Sequence, residues 1–394
     1  MAVRKINSDV FYVGAIDWDR KIFDELIPLP DGTSYNSYIL KGSEKTALID
    51  SVDPEKEMEL LANLHELGIE KIDYIVSNHA EQDHSGAIPL ILEHFPEAVV
   101  VTNQKCKAFE IDHLYIPDSK FHVIHDGDTL SLGNKTLKFI MTPWVHWPET
   151  MVTYLEEDNI LFSCDFFGSH FASSKLFAEE NPKVIEGAKR YYAEIMMPFR
   201  STIRKNIDIL SKYDIKMIAP SHGPIWKSPN TIIDAYKEWI SEKVKNEVVI
   251  PYVSMHESTK IMVEYMIDEL IKKDIIVKPY NLTRTDTGEL AMSLVDTATV
   301  IIATPMVLAG AHPAAVYATF LMNALRPKTK FVGIIGSYGW GGKMVDQLKG
   351  LLANLKVDYF DPVLVKGRPV EDDFKELDKL IDLIVEKHKT LNEE

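Results

Sequence analysis

Four side chains of the kind that bind metal ions fall within one short segment, Ile75-Val-Ser-Asn-His79-Ala-Glu81-Gln-Asp83-His84-Ser-Gly-Ala87, which constrains the fold more than any other stretch. A β-rich run, Tyr74 to Ser77, leads into it, and an apolar helix-like run, Ile88 to Phe95, leads out. Positions 79, 81 and 83 alternate and so project to one side of an extended loop, whereas His84 points the opposite way unless the chain turns at Asp83. Alone, such a loop also describes a solvated turn. Three further candidates separate the two readings. His146 in TPWVHWP follows the run Leu137 to Met141, Asp165 in FSCD follows Leu161 to Ser163, and His222 in APSHG follows Met217 to Pro220. Each lies past a strand's C-terminal end, where the loops of a layered sheet converge.

The set His79, Glu81, Asp83, His84, His146, Asp165 and His222 contains imidazoles and carboxylates. Shared between two ions with Asp165 bridging, it gives each metal two His and two carboxylate contacts and leaves positions open. Oxygen and imidazole donors with vacant positions suit iron, while a His-dominated set favours zinc. The expectation is two non-haem irons; geometry alone leaves zinc and manganese open.

The 394 residues suffice for two to three domains. Up to about residue 240 short β-rich runs alternate with loops and a few helices, as in Ser37 to Leu40, Ala47 to Asp50, Ala98 to Thr102, Thr136 to Met141, Met151 to Leu155 and Ile160 to Ser163. From Val248 the rhythm becomes regular. Strand-like Val248 to Val253, Ile275 to Tyr280, Thr299 to Thr304, Lys330 to Ile335 and Tyr359 to Leu364 alternate with helix-like Thr259 to Lys272, Ala314 to Leu325, Met344 to Leu355 and Glu371 to Lys387. Five strands with helical crossovers make a doubly wound parallel sheet. The boundary is expected near Glu242 to Glu247, in SEKVKNE.

Lys and Arg number 43 against 59 Asp and Glu, and a net charge of -16 offers no general attraction to nucleic acid or anionic membrane. No apolar stretch is long enough to span a bilayer, and MAVRKINSDVFYVG lacks the pattern of a cleaved leader, so the expected location is cytoplasmic. Cys106 and Cys164 are the only cysteines, which excludes a disulfide framework and a Cys-ligated iron-sulfur or rubredoxin site within this chain. Any electrons must come from a separate partner, and both thiols read as buried apolar fillers.

The pattern HxExDHSG, then HWP, CD and SHG, resembles the metallo-β-lactamase-fold core of flavodiiron proteins (A-type flavoproteins). Hydrolases of the wider superfamily usually carry HxHxDH with zinc, and Glu81 stands where they have the second His. The likeness extends over nearly the whole chain, including SYNSYIL, MVTYL and RYYAEIMMPF. It implies an α/β protein: an N-terminal metallo-β-lactamase-like αββα sandwich over 1–246, then a flavodoxin-like doubly wound five-stranded parallel sheet over 247–394. It also implies that His79, Glu81 and His146 bind one iron and Asp83, His84 and His222 the other, with Asp165 between them. His170 in FGSH and Tyr192 in RYYAE match family positions near the diiron pocket, and are carried as catalytic candidates.

In a doubly wound sheet, ligands bind past the strand C-termini, with phosphate at a helix N-terminus. Three loops fit. Ser254-Met255-His256-Glu-Ser258-Thr259 follows the first strand and opens a helix; Thr304-Pro305-Met306 follows the third; Ser337-Tyr338-Gly339-Trp340-Gly341 follows the fourth and sets two aromatics beside flexible backbone. Singly these are a plain N-cap and Gly turns. Together, and without a GxGxxG after the first strand, they describe an FMN pocket rather than a dinucleotide fold. Val253 and Val307 to Gly310 depart from the family's acidic first-loop residue and polar Asn pair.

By this resemblance the chain reduces dioxygen to water, nitric oxide to nitrous oxide, or both. Electrons would come from rubredoxin, a flavoprotein or a reduced deazaflavin coenzyme, and a head-to-tail homodimer, or a dimer of such dimers, would set FMN of one subunit beside the irons of the other. The alternatives are a hydrolase of the metallo-β-lactamase superfamily fused to a flavodoxin, and a non-catalytic electron carrier or gas sensor.

Overall fold

The computed structural model describes residues 3–392. The chain divides into two compact units, one running up to Tyr192 and including Phe199–Ile240, the other comprising Ala193–Pro198 and the chain from Ser241 onward. The charged SEKVKNE segment therefore goes with the second unit, whose first strand already begins inside it at Lys245.

Two sheets stack in the first unit. One runs, from the edge strand Arg4–Lys5, through β1 (Val10–Tyr12), β2 (Tyr38–Lys41), β3 (Thr46–Ile49), β4 (Tyr74–Val76), β5 (Val99–Thr102) and β6 (Phe121–Val123), and is parallel from β3 onward. The other is β7 (Thr129–Ser131), β8 (Thr136–Met141), β9 (Met151–Leu155), β10 (Ile160–Cys164) and β11 (Met217–Pro220). Alternation in the strands builds the layers. Tyr38, Leu40, Ala47, Ile49, Val76 and Val101 meet Leu137, Phe139, Met151 and Phe162 between the sheets. Their neighbours Ile39, Leu48, Ile75 and Val100 turn outward onto Leu60 and Leu64 of α1 (Glu57–Glu66) and Ile88 and Ile91 of α2 (Ile88–His94). Helix α3 (Gln104–Leu114) buries Cys106 and Glu110, and α4 (Val184–Tyr191) buries Tyr191. Helices α5 (Arg200–Leu210) and α6 (Pro229–Trp239) bury Ile203, Ile207, Ile232 and Tyr236 and complete the αββα sandwich.

Strand direction sets the site. Strand β9 is antiparallel to both β8 and β10, and β11 is parallel to β10, so β8, β10 and β11 all run the same way and end at one edge.

The second unit is a parallel sheet built from β12 (Lys245–Tyr252), β13 (Ile276–Asn281), β14 (Thr297–Val307), β15 (Phe331–Tyr338) and β16 (Val363–Lys366), in the order β13-β12-β14-β15-β16. The order reverses between β12 and β14, the switch point of a doubly wound sheet. One core joins Val248, Ile250, Ile301 and Ile335 of the sheet to Met262 and Met266 of α7 (Ser258–Ile271) and to residues beyond β16. Helix α8 (Thr287–Leu294), capped by Asp286, was not anticipated because its eight residues are too few to show a period. Helices α9 (Pro313–Leu325), α10 (Met344–Leu351) and α11 (Glu371–Lys389) follow the expected pattern. The last strand differs from expectation: Asp358–Tyr359 and Val363–Lys366 pair separately with β15, since Pro362 between them has no N–H to give the ladder.

Strand β14 also runs past Thr304 into a two-residue hairpin, with Val307 opposite Gly310. Its tip residues Leu308 and Ala309 both have positive φ, 52° and 60°, the pairing that Asn-Gly ordinarily supplies. Ala309→Gly should relieve this strain and stabilise the second unit by about 1 kcal/mol, read as a higher denaturation midpoint.

Candidate metal centre and flavin cradle

The structure gathers all seven expected ligands. His79 and Glu81 follow β4, and the short helix Gln82–Ser85 then turns the chain so that Asp83 and His84 also face inward. His146 follows β8, Asp165 directly follows β10, and His222 follows β11.

Two groups form. In one, ligand atoms of His79, Glu81, His146 and Asp165 lie within 4.8 Å of one another; in the other, those of Asp83, His84 and His222 do. Asp165 joins them. Its Oδ2 lies 3.4 Å from His79 Nε2 and 3.5 Å from His146 Nε2, and its Oδ1 lies 3.0 Å from His84 Nε2 and 3.5 Å from His222 Nε2. Glu81 Oε2 sits 3.0 Å from His79 Nε2 and 3.1 Å from His146 Nε2, while Asp83 Oδ2 sits 3.0 Å from His222 Nε2.

The outer atoms of two rings decide what the inner atoms can do. His79 Nδ1 donates to Glu149 Oε1 at 2.6 Å, and His222 Nδ1 donates to the Ser34 carbonyl at 2.7 Å. With a proton held at Nδ1, each Nε2 faces carboxylate oxygens, and that close approach needs a metal ion or a second ring proton between them. Asp83 Oδ1 and Oδ2, His84 Nε2 and Asp165 Oδ2 are buried without a hydrogen-bond partner. The donor set therefore fits a pair of metal ions.

Without metal, protons take the cations' place. Burial opposes charge on His84, but Asp83 and Asp165 outweigh it and push the ring to about 9. His146 is likewise pushed to about 9, against burial, by Asp165 and Glu81. Asp165 is held well below the carboxylate range, against its burial, by His84 and His146.

Sequence reading did not pick out three supporting groups. Glu149, in the HWPET segment, orients His79 and also accepts from Ala80 N at 3.2 Å. Asp50, at the end of β3, accepts from Asn78 N at 2.8 Å, Asn78 Nδ2 at 2.9 Å and Ser221 Oγ at 3.2 Å, which ties the loop of His79 to the loop of His222. Tyr191 donates to Asp165 Oδ1 at 2.7 Å.

Tyr191 corrects an expectation. The hydroxyl of Tyr192 turns to the Trp239 carbonyl at 3.4 Å, and its ring packs on Tyr236 and Trp239. Adjacent helical positions are about 100° apart, so only one of the pair can face Asp165. His170 is beside the site, with Nδ1 2.8 Å from Thr33 Oγ1, its ring against His222 and Phe23, and Nε2 buried without a partner. Burial and then the neighbouring His222 hold it well below the usual histidine range, so it is neutral. Cys106 and Cys164 are both buried, and burial pushes both thiols up. Cys164 also lies within the span of His84 and Asp165. An open cleft of about 610 Å³, lined by Arg20, Phe23, Asp24, Glu81, Asp83 and Trp147 among others, gives access to the ligands.

In the second unit, three loops gather at the C-terminal ends of the neighbouring strands β12, β14 and β15. Ser254 Oγ accepts from Lys260 N at 3.2 Å, and Ser258 and Thr259 open α7. Thr259 Oγ1 and Ser337 Oγ are 3.0 Å apart and join the first loop to the third. Thr304 Oγ1 accepts from His312 N at 3.1 Å, so Thr304 braces the hairpin that carries Pro305 and Met306. A Cβ added at Gly339 or Gly341 would meet nothing within 4 Å, which leaves open space beside Tyr338. Met255, Leu308 and Trp340 stand exposed on the rim at 48%, 89% and 72%. Hydroxyls at a helix N-terminus under an apolar rim suit a molecule with a phosphate and a flat ring.

Metal uptake must displace protons from His79, His84 and His146, all held charged by the surrounding carboxylates, so apparent affinity should rise with pH through and above neutrality, by up to about tenfold per unit for each proton released. Chelator competition with a pH indicator reads both quantities. Glu149→Gln and Tyr191→Phe should each weaken metal binding by about 10- to 100-fold, whereas Tyr192→Phe should leave it unchanged.

A family model described as ODP family beta lactamase matches residues 33–223. The chain is 36% identical over 361 residues to the nitric oxide reductase of Moorella thermoacetica, covering 90% of each chain. Among solved structures it matches the rubredoxin oxygen:oxidoreductase of Desulfovibrio gigas with a TM-score of 0.96, 30% identity and 99% of both chains covered. It matches the flavodiiron protein from Giardia intestinalis with a TM-score of 0.90, 28% identity and 98% of both covered. With these full-length similarities added to the carboxylate-bridged ligand set, the chain belongs to the flavodiiron protein family.

Proposed function

We propose that the protein reduces dioxygen to water, nitric oxide to nitrous oxide, or both, with the first unit as its diiron domain and the second unit as its FMN-binding domain. The observation that carries this reading is Asp165 sharing its two oxygens between two His-carboxylate groups, with Glu81 in the place where related hydrolases carry a His. When bound, two irons store two electrons and FMN two more, which together meet the four-electron demand of dioxygen.

The chain's own groups prepare the site for that chemistry. His79, Glu81, His146 and Asp165 would hold one iron, and Asp83, His84, His222 and Asp165 the other. Glu149 and the Ser34 carbonyl hold two of the rings in the tautomer that leaves Nε2 free for metal. Tyr191 keeps a proton at Asp165 Oδ1, where burial holds the phenol well above its usual range, and neutral His170 adds no charge. Phe23 and Trp147 are apolar members of an otherwise charged and polar cleft wall, and lie beside the ligands Glu81 and Asp83.

Ser254, Ser258, Thr259 and Ser337 would hold the FMN phosphate end, and Met255, Leu308 and Trp340 would shield the ring. His256, Thr304, Pro305, Met306, Tyr338, Gly339 and Gly341 complete the proposed contacts. An external carrier, whether rubredoxin, a flavoprotein or a reduced deazaflavin, would supply the electrons. A head-to-tail homodimer, or a dimer of dimers, would bring FMN of one copy to the irons of the other. Among the described residues no helix is long and apolar enough to cross a membrane, and the proposed setting is the cytoplasm.

The purified protein should contain two irons and one FMN per chain, and its reduced form should be oxidised on stopped-flow mixing with dioxygen or nitric oxide. A flavin-free zinc protein that hydrolyses thioesters or phosphodiesters would overturn the reading. Glu81→His should shift metal content towards zinc and abolish gas reduction.

A further inference from the structure

Behind the ligand loop lies a carboxyl that the proposed reaction leaves unused. Glu110, on α3, has no solvent exposure. Its Oε1 accepts from Ser77 Oγ at 2.5 Å, and its Oε2 is buried with no hydrogen-bond partner. The titratable groups around it are Asp50 at the end of β3, Cys106 one turn back on α3, and Glu149. All are acids. Among the described residues no Lys, Arg or His lies within ion-pair distance of Glu110. An ionised carboxylate here would have the Ser77 hydroxyl and the weak Cys106 thiol as donors and no cation, with one oxygen unpartnered, conditions under which a carboxyl keeps its proton. Burial pushes it up to about 8, against the opposing Ser77 hydrogen bond.

We propose that Glu110 is the charge-compensating acid of the metal site, neutral when the site is reduced and ionised when it is oxidised. The inference rests on the diiron reading above. The geometry places Glu110 one hydroxyl from a ligand's backbone, because Ser77 Oγ also lies 3.3 Å from the His79 carbonyl. In a buried setting of low effective dielectric, a unit of charge added to the neighbouring site raises the proton affinity of such a carboxyl. Glu110 takes one proton from solvent, forming a single O–H bond, as the first electron arrives from reduced flavin. On oxidation that bond breaks, the carboxylate keeps the electron pair, and the proton returns to solvent.

Glu110→Gln preserves volume and the acceptor for Ser77 but cannot ionise. In the iron- and FMN-loaded wild type, the midpoint potential of the metal site should fall as pH rises through neutrality towards about 8, by up to about 59 mV per unit for one proton per electron. The variant should lose that slope with iron and FMN content intact, and an unchanged slope overturns the proposal. Infrared spectra of the metal-free wild type at neutral pH should show the carbonyl stretch of a protonated carboxylic acid, titrating near pH 8 and missing from E110Q. Its absence from the wild type overturns the proposal even if the variant fails to fold. A flat potential with that band present overturns charge compensation and leaves the diiron reading standing, whereas a protein that purifies with zinc and without flavin overturns the reading itself.

Discussion

Imidazoles and carboxylates crowd a buried space in the first unit, and among the described residues it is Asp165 whose two oxygens face both groups of them. Asp165 leaves β10 where Cys164, at φ 50°, bends the strand's end. From there each carboxylate oxygen faces a different pair of imidazoles. The strand directions permit this. If β8, β10 and β11 did not run the same way, His146, Asp165 and His222 would end at opposite edges of the sheet.

Such a site places many polar atoms inside a core, and the sandwich accommodates them in a layer of buried hydrogen bonds. Asp50 is the clearest member: its accepted bonds tie together the backbone before His79 and the residue before His222. Thr153 adds a bond to Asn78 Oδ1 at 2.7 Å, linking β9 to the same loop. These contacts hold the ligand loops in place whether or not metal is bound, so the site is largely prepared in advance. The second unit handles its polar groups differently. The middles of its central strands are apolar, and its hydroxyls gather towards the strand ends, as the Thr259–Ser337 contact illustrates.

Much of this was readable from residue type and position. A His or carboxylate just past a β-rich run is a local signal, and parallel strands such as Thr297–Val307 announce themselves as unbroken apolar runs because both faces are covered. What escaped was set by packing. The choice of Tyr191 over Tyr192 depends on helical phase at the end of α4, where the chain passes into an irregular turn. Glu149 is one carboxylate among many until the fold sets it against His79. The hairpin tip at Leu308 and Ala309 carries neither Gly nor Asn, so the usual sign of such a turn is missing. Pro362 did carry a signal, a missing donor in a strand-like run, and the structure obeys it.

The two rings whose outer nitrogens are pinned differ in what pins them. His79 leans on the side chain of Glu149, which a single nucleotide change can remove, whereas His222 leans on the main-chain oxygen of Ser34, which every amino acid carries. A side-chain substitution can therefore free the His79 ring, whereas only a change in the path of the backbone can free the His222 ring.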